Sequence, residues 1–292
     1  MSSVAQPIGS QSPRDRTKGR LFVLALLFSL FVGLFVLLIL LVDVVLSGAG
    51  NVSQVLGNQP SGSPERAGAQ SAIIGTMWLM LLTALISLPI GIGAAIYLEE
   101  YADPAKWWNR LIEVNVQNLA AVPSIVFGIL GLAFIVRGLN VGKVVVAGAL
   151  ILSLLVLPTV IISSREAIRA VSNSIRQASM ALGATKLQTI WCHVLPGATP
   201  GIATGSILAL SRAIGETAPL ILVGALTFIT FNPVGPTSDF TALPIQIFNW
   251  ISRPQEAFRE ELAAGGIVIL LVLLLSMNAA AIVLRNRYQK RW

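Results

Sequence analysis

Apolar residues in this chain fall into long blocks separated by short polar or basic stretches. The blocks cover residues 21–42, 71–98, 111–136, 144–163, 201–229 and 262–284. Each is long enough to cross a hydrocarbon core about 30 Å thick as a helix. Helices are expected because lipid offers no partner to backbone N–H and C=O groups, so a spanning segment must satisfy them internally. The third block is interrupted by Gln117, Asn118 and Pro123 and is the weakest. The pattern predicts an all-α polytopic membrane protein of about six transmembrane helices over residues 21–284, with tails over 1–20 and 285–292.

Composition agrees with the bilayer as the main solvent: 55% of residues are hydrophobic, 11% are charged and the mean hydropathy is +0.79. A soluble domain carries about twice that charged fraction. The first block follows a basic segment and precedes Ser47-Gly48-Ala49-Gly50, which raises a cleaved signal peptide. At about 22 residues it exceeds the usual signal core and reads as a retained span.

Lysine and arginine set the orientation, since short loops rich in them stay in the cytoplasm. An even number of spans puts both termini on one side. That side holds Arg14, Arg16, Lys18, Arg20, Lys106, Arg110, Arg165, Arg169, Arg176 and Lys186, and the basic tail from Arg285. The opposite side holds only Arg66, Arg137, Lys143, Arg253 and Arg259. Both termini and the 164–200 connection are therefore expected in the cytoplasm, with loops 43–70 and 230–262 outside. The net charge of +7 is largely this bias, which argues against a nucleic-acid surface.

The outer loops differ in kind. Residues 50–68 have the Gly, Ser, Asn, Gln and Pro content of a flexible spacer. Residues 231–261 alternate prolines with apolar and aromatic residues, including Phe240, Phe248 and Trp250. Such a segment packs at the outer interface, where tryptophan is favoured, or forms an outer gate or partner contact.

Within the fifth block, Arg212 and Glu216 are the only charges between Lys186 and Asp239. Ionisable groups at bilayer depth cost a few kcal/mol, so they usually face a partner or a water-filled path. Counted at about 1.5 Å per residue from Gly201, Arg212 lies about 16 Å into the span, near the midplane. Its planar fork of donors can meet two oxygens of an anion at once and cannot lose its charge. Glu216, at i+4, shares its face and has two readings: an ion pair that keeps Arg212 from being unpaired, or an acceptor for the proton of hydrogen phosphate. Gly201 and Gly205 have the spacing of close helix contact, and Pro219 is expected to kink the span.

The 164–200 connection reads as helix, turn, helix. Residues 164–171 extend the fourth span, 174–182 form a short helix stopped by Gly183, and 185–195 restart before Pro196. A short amphipathic element between two turns suits a groove on a soluble partner; the alternative is a helix lying on lipid.

The run from Gln177 to Pro196 resembles the cytoplasmic signature loop of ABC-importer permeases. Ala178, Gly183, Leu195 and Pro196 match in register, while Gln177, Ser179 and His193 stand where that loop usually has Glu, Ala and Ile. The resemblance implies a type I importer permease whose loop is a coupling helix seated in a cytoplasmic ATPase. Arg212-Ala-Ile-Gly-Glu216-Thr217-Ala-Pro-Leu220 narrows the likeness to permeases of the bacterial phosphate-specific importer, of which Ala121-Val-Pro-Ser-Ile-Val-Phe-Gly128 and Leu243-Pro-Ile-Gln-Ile-Phe-Asn-Trp250 suggest the A-type subunit. It implies a substrate pathway at Arg212, Glu216 and Thr217, and ATPase coupling at Gln177, Ala178, Ser179, Gly183, Leu195 and Pro196. Expected partners are a second permease of C type, an ATPase dimer carrying ATP and magnesium, an external phosphate-binding protein and the lipid of the bacterial inner membrane. The alternatives are import of another oxyanion such as sulfate or molybdate, a proton-coupled secondary transporter using Glu216 as carrier, and a membrane scaffold or sensor.

Nothing in the sequence offers catalysis or a bound metal or cofactor. There is one histidine and one cysteine, and no Gly-rich phosphate loop ends in Gly-Lys-Ser/Thr. Cys192 rules out an intrachain disulfide. His193 is expected to be an interface or packing residue, Gly91-Ile-Gly93 a helix-packing site, and Glu99, Glu100 and Asp103 a solvated charged turn beside Lys106 and Arg110.

Overall fold

A computed structural model describes residues 13–288 apart from 224, 226 and 227. Helix α1 covers Pro13–Gly48, α2 Val52–Gly57, α3 Gln70–Ile96, α4 Trp107–Ala120, α5 Ser124–Leu130 and α6 Val145–Arg169. The chain continues through α7 Asn173–Ala181, α8 Lys186–Thr189, α9 Leu195–Ile214, α10 Ala218–Val223, α11 Leu243–Ile251 and α12 Ala263–Tyr288. Among the described residues, five helices are long and apolar enough to span a membrane, or six if one bent pair is a single span.

The core is a layer of α3, α6 and α9, with Met80, Ile151, Val156, Val160, Ala209 and Ala213 buried between them. Small residues bring these helices together. A Cβ on Gly91 would stand 2.6 Å from Val160, one on Gly201 2.6 Å from Ala167, and one on Gly205 would collide with Ser163. The Gly201 and Gly205 spacing is thus a seam against α6. Helix α1 is different: it packs on α12 and is otherwise exposed nearly throughout its apolar length.

The third block is not one straight span. Its two halves, Trp107–Ala120 and Ser124–Gly138, meet at 109°. Pro123 pushes Val122 away from helical geometry, and α4, with Glu113, Asn115, Gln117 and Asn118, lacks the continuous apolar run of its neighbours.

The fifth block begins earlier and ends earlier than its hydropathy suggests. One apolar helical run extends over Lys186–Ile214, and Pro196 does not break it. A wide π-type turn at Ile190–Val194 precedes the proline and absorbs its missing donor. Pro219 does not kink a continuous helix either. Helix α9 has already closed through Gly215 N–H to Arg212 O and Glu216 N–H to Ala213 O, each 3.2 Å, and Pro219 sits in the first turn of α10, where a missing N–H is tolerated.

The loops expected outside are packed, against the spacer and surface readings. Val55, Ala67 and Ala69 have no exposed surface, and the Gln54 side chain donates to the carbonyls of Pro64 and Ala67 at 2.6 and 3.1 Å. Phe240, Ile245 and Trp250 are also fully buried, so the tryptophan is a core residue and not a surface anchor. Helix α11 is held by Leu243 N–H donating to Thr76 Oγ1 at 2.8 Å.

Candidate functional site

Arg212 occupies the last turn of α9, where the helix gives way to Gly215, Glu216 and Thr217. Its side chain is 57% exposed, and its Nε donates to Glu216 Oε1 at 3.4 Å; the Glu216 side chain is 18% exposed. That bond is long and singly made, so among the described residues the other guanidinium donors have no partner. A charge so presented can take an anion without first breaking a tight pair. Thr217 Oγ1 lies 3.4 Å from the Gly215 carbonyl and shapes the break.

The flanks of this break are fixed. Ala209, Ala213 and Ile214 are buried on the core side of α9. A Cβ on Gly128 would stand 2.7 Å from Pro219 Cα, so α5 lies against the start of α10 and two interrupted spans touch. Beside Arg212, Ser211 Oγ is 2.6 Å from Asn278 Oδ1, tying α9 to α12. A mostly apolar groove of about 660 Å³ between α3, α9 and α12, lined by Leu88, Ile92, Trp191, Ile202 and Leu210, does not include Arg212.

At the other end of the molecule, α7 starts with Ser172 Oγ accepting from Ser174 N–H at 3.3 Å. It stops at Gly183, whose φ of +87° is open to glycine at little cost. The chain restarts with a capping box, in which Thr185 Oγ1 accepts from Gln188 N–H and Gln188 Oε1 accepts from Thr185 N–H. Gln177, Ala178 and Gly183 are exposed, Leu195 and Pro196 are half-buried in the start of α9, and Ser179 is buried with its hydroxyl 2.9 Å from Thr189 Oγ1. Large apolar side chains point outward around this turn: Ile175, Met180, Leu187, Trp191 and above all Leu182, which is 90% exposed. His193 and Cys192 are exposed beside them.

The acidic residues that end α3 are not a solvated turn. Glu99 takes Arg169 through both carboxylate oxygens at 2.9 and 3.0 Å and lies 3.5 Å from Arg165, which also reaches Glu113 on α4 at 3.0 Å. Glu100, only 8% exposed, receives Arg176 of α7 at 2.8 Å. Asp103 alone behaves as expected, accepting from Ala105 N–H in an exposed turn, and Lys106 lies over the Trp108 ring instead of joining the acids. The visible signal was opposite charges at the same end of successive spans. Among the described residues, no group of three or more His, Cys, Asp or Glu side chains could hold a metal.

Residues 87–291 match the family described as binding-protein-dependent transport system inner membrane component. The chain belongs to this family. It is an ABC importer permease subunit, spanning the membrane several times. The permease is 30% identical over 269 residues to the probable ABC transporter permease protein YqgI of Bacillus subtilis, covering 88% of this chain and 89% of that one. It is 31% identical to the phosphate transport system permease protein PstA of Yersinia pestis, covering 92% and 90%. Its fold matches a bacterial alginate ABC transporter with a TM-score of 0.66 at 16% identity, over 96% of this chain and 99% of that one. It also matches the inward-facing methionine transporter MetNI with a TM-score of 0.61 at 18% identity, over 75% and 95%.

Proposed function

We propose that this permease carries inorganic phosphate into the cell by alternating access. Its termini and the α7–α8 turn face the cytoplasm, Arg212 is the anion contact, and Glu216 and Thr217 shape the pathway around it. Energy comes from a separate ATPase dimer, which holds the ATP and magnesium and docks on the exposed apolar turn around Leu182. An external binding protein delivers phosphate, and a second permease of C type completes the pathway.

The observation that carries this reading is Arg212 itself, a permanently charged fork whose donors beyond Nε have no partner among the described residues, at a break between two helical segments of a membrane span. Discontinuous spans are where transporters place substrate contacts, because backbone and side-chain groups there are free to serve a ligand. Similarity to the phosphate permease of Yersinia pestis over nine-tenths of the chain supports phosphate over sulfate or molybdate. Co-purification with an ATP-hydrolysing subunit separates the reading from proton-coupled transport through Glu216.

The test is energised uptake by the reconstituted complex carrying Arg212→Lys or Arg212→Ala. Lysine keeps the charge but loses the fork, so uptake falls about tenfold or more in both, as for other lost charge-assisted contacts. Wild-type uptake in both variants overturns the site. Competition by sulfate and molybdate against labelled phosphate checks the anion.

A further inference from the structure

Helix α7 is joined to the bundle by more than its two turns. Arg176, whose side chain is only 14% exposed, points back from α7 and makes five hydrogen bonds. Its Nη2 donates to the Ile168 carbonyl at 2.9 Å, which also accepts from Val171 N–H, and its Nη1 donates to the Val171 carbonyl just past the end of α6, so it grips the C-terminal end of that helix. Its Nε and Nη2 donate to Glu100 Oε1 at 3.0 and 2.8 Å. Glu100 belongs to the π-type turn Tyr97–Tyr101 that closes α3. One guanidinium thus fastens α7 to the ends of two spans at once. On its other side α7 is fastened by the buried Ser179 and Thr189 hydroxyls to α8, hence to the helix whose last turn carries Arg212.

We infer that Arg176 and Glu100 form a mechanical pin that makes α3 move with α7, so that the ATPase drives the α3 span directly as well as α6 and α9. This rests on the proposed docking of an ATPase at α7–α8. Arg176 acts through α3 and not on the substrate, and is a positioning residue. Buried on both sides, the pair is strong enough to carry displacement: removing one partner strands the other charge, whereas exposed pairs break and reform in solvent. By contrast the neighbouring Arg169–Glu166 pair lies within α6, with both side chains more than half exposed, and ties no second element.

The experiment uses the complete complex in proteoliposomes and reads phosphate moved per ATP hydrolysed, with the amount of co-purified ATPase as control. Glu100→Gln keeps the size and an acceptor oxygen but removes the charge. It is expected to leave ATPase binding and hydrolysis near wild type while phosphate moved per ATP falls about tenfold, a typical strength for coupled sites. Arg176→Ala gives the same loss, and the double variant is no worse than Arg176→Ala alone, since both remove one pin. A wild-type ratio in Glu100→Gln, loss of ATPase binding in that variant, or additive losses in the double variant each overturns the inference. If Arg176→Ala fails to assemble, Glu100→Gln decides alone. A wild-type complex that binds no ATPase or moves no phosphate would instead sink the proposed function.

Discussion

Glu216 can serve Arg212 in two ways, and the geometry separates what each would cost to lose. The pair is a single 3.4 Å contact with Arg212 more than half exposed, so as a stabilising interaction it is worth at most about 0.5 kcal/mol. Glu216→Gln should therefore leave the thermal unfolding midpoint in detergent almost unchanged. If the carboxylate also accepts the proton of hydrogen phosphate, the same change lowers the preference for phosphate over sulfate, which carries no such proton, in competitive uptake. An unchanged preference assigns Glu216 to pairing alone. Both residues were legible in the sequence because charge inside an apolar run is conspicuous. The guanidinium contact to Glu100 was not, because an arginine and a glutamate 76 positions apart look alike whether solvated or buried.

Among the elements, α6 and α9 form the seam that the Gly201 and Gly205 spacing announced. Adding an isopropyl group at Gly205 drives its Cβ into Ser163, so Gly205→Val should destabilise the permease by about 1–3 kcal/mol, seen as a lower unfolding temperature, while Gly93→Val, with open space around it, should not. Hydropathy located every long helix but misjudged their breaks. It cannot see that Pro196 enters a helix behind a π-type turn and is harmless, or that Ile214 ends one through local backbone closure. Prolines mark where a donor is missing, and the surrounding turns decide whether that matters. The packing of the 43–70 and 230–262 loops was misread for a related reason: Val55 and Trp250 are buried by distant partners that composition does not reveal.

For the whole molecule, sidedness is open to a direct chemical probe. Cys192 is the chain's only cysteine, is exposed, and lies one residue from Trp191 on the proposed ATPase-facing surface. A membrane-impermeant maleimide should label it in inside-out vesicles and not in intact cells, and bound ATPase should slow that labelling. Labelling from outside would reverse the orientation. The basic asymmetry of the loops is what predicts this orientation, while α1 carries its apolar surface outward nearly all round.

The unbroken helix from Lys186 to Ile214 has one more consequence. Its π-type turn, Pro196 and Pro200 leave the helical run continuous, so a tilt at its base is carried to its far end. At 29 residues it is about 44 Å long, so a tilt of about 10° at its base sweeps Arg212 through about 7 Å. Azimuth is preserved too: inserting one residue in α9 turns Arg212 by about 100° relative to α7, and inserting seven returns it to within about 20°. The permease is therefore phased as well as levered, and the number of residues between its two ends is itself part of the design.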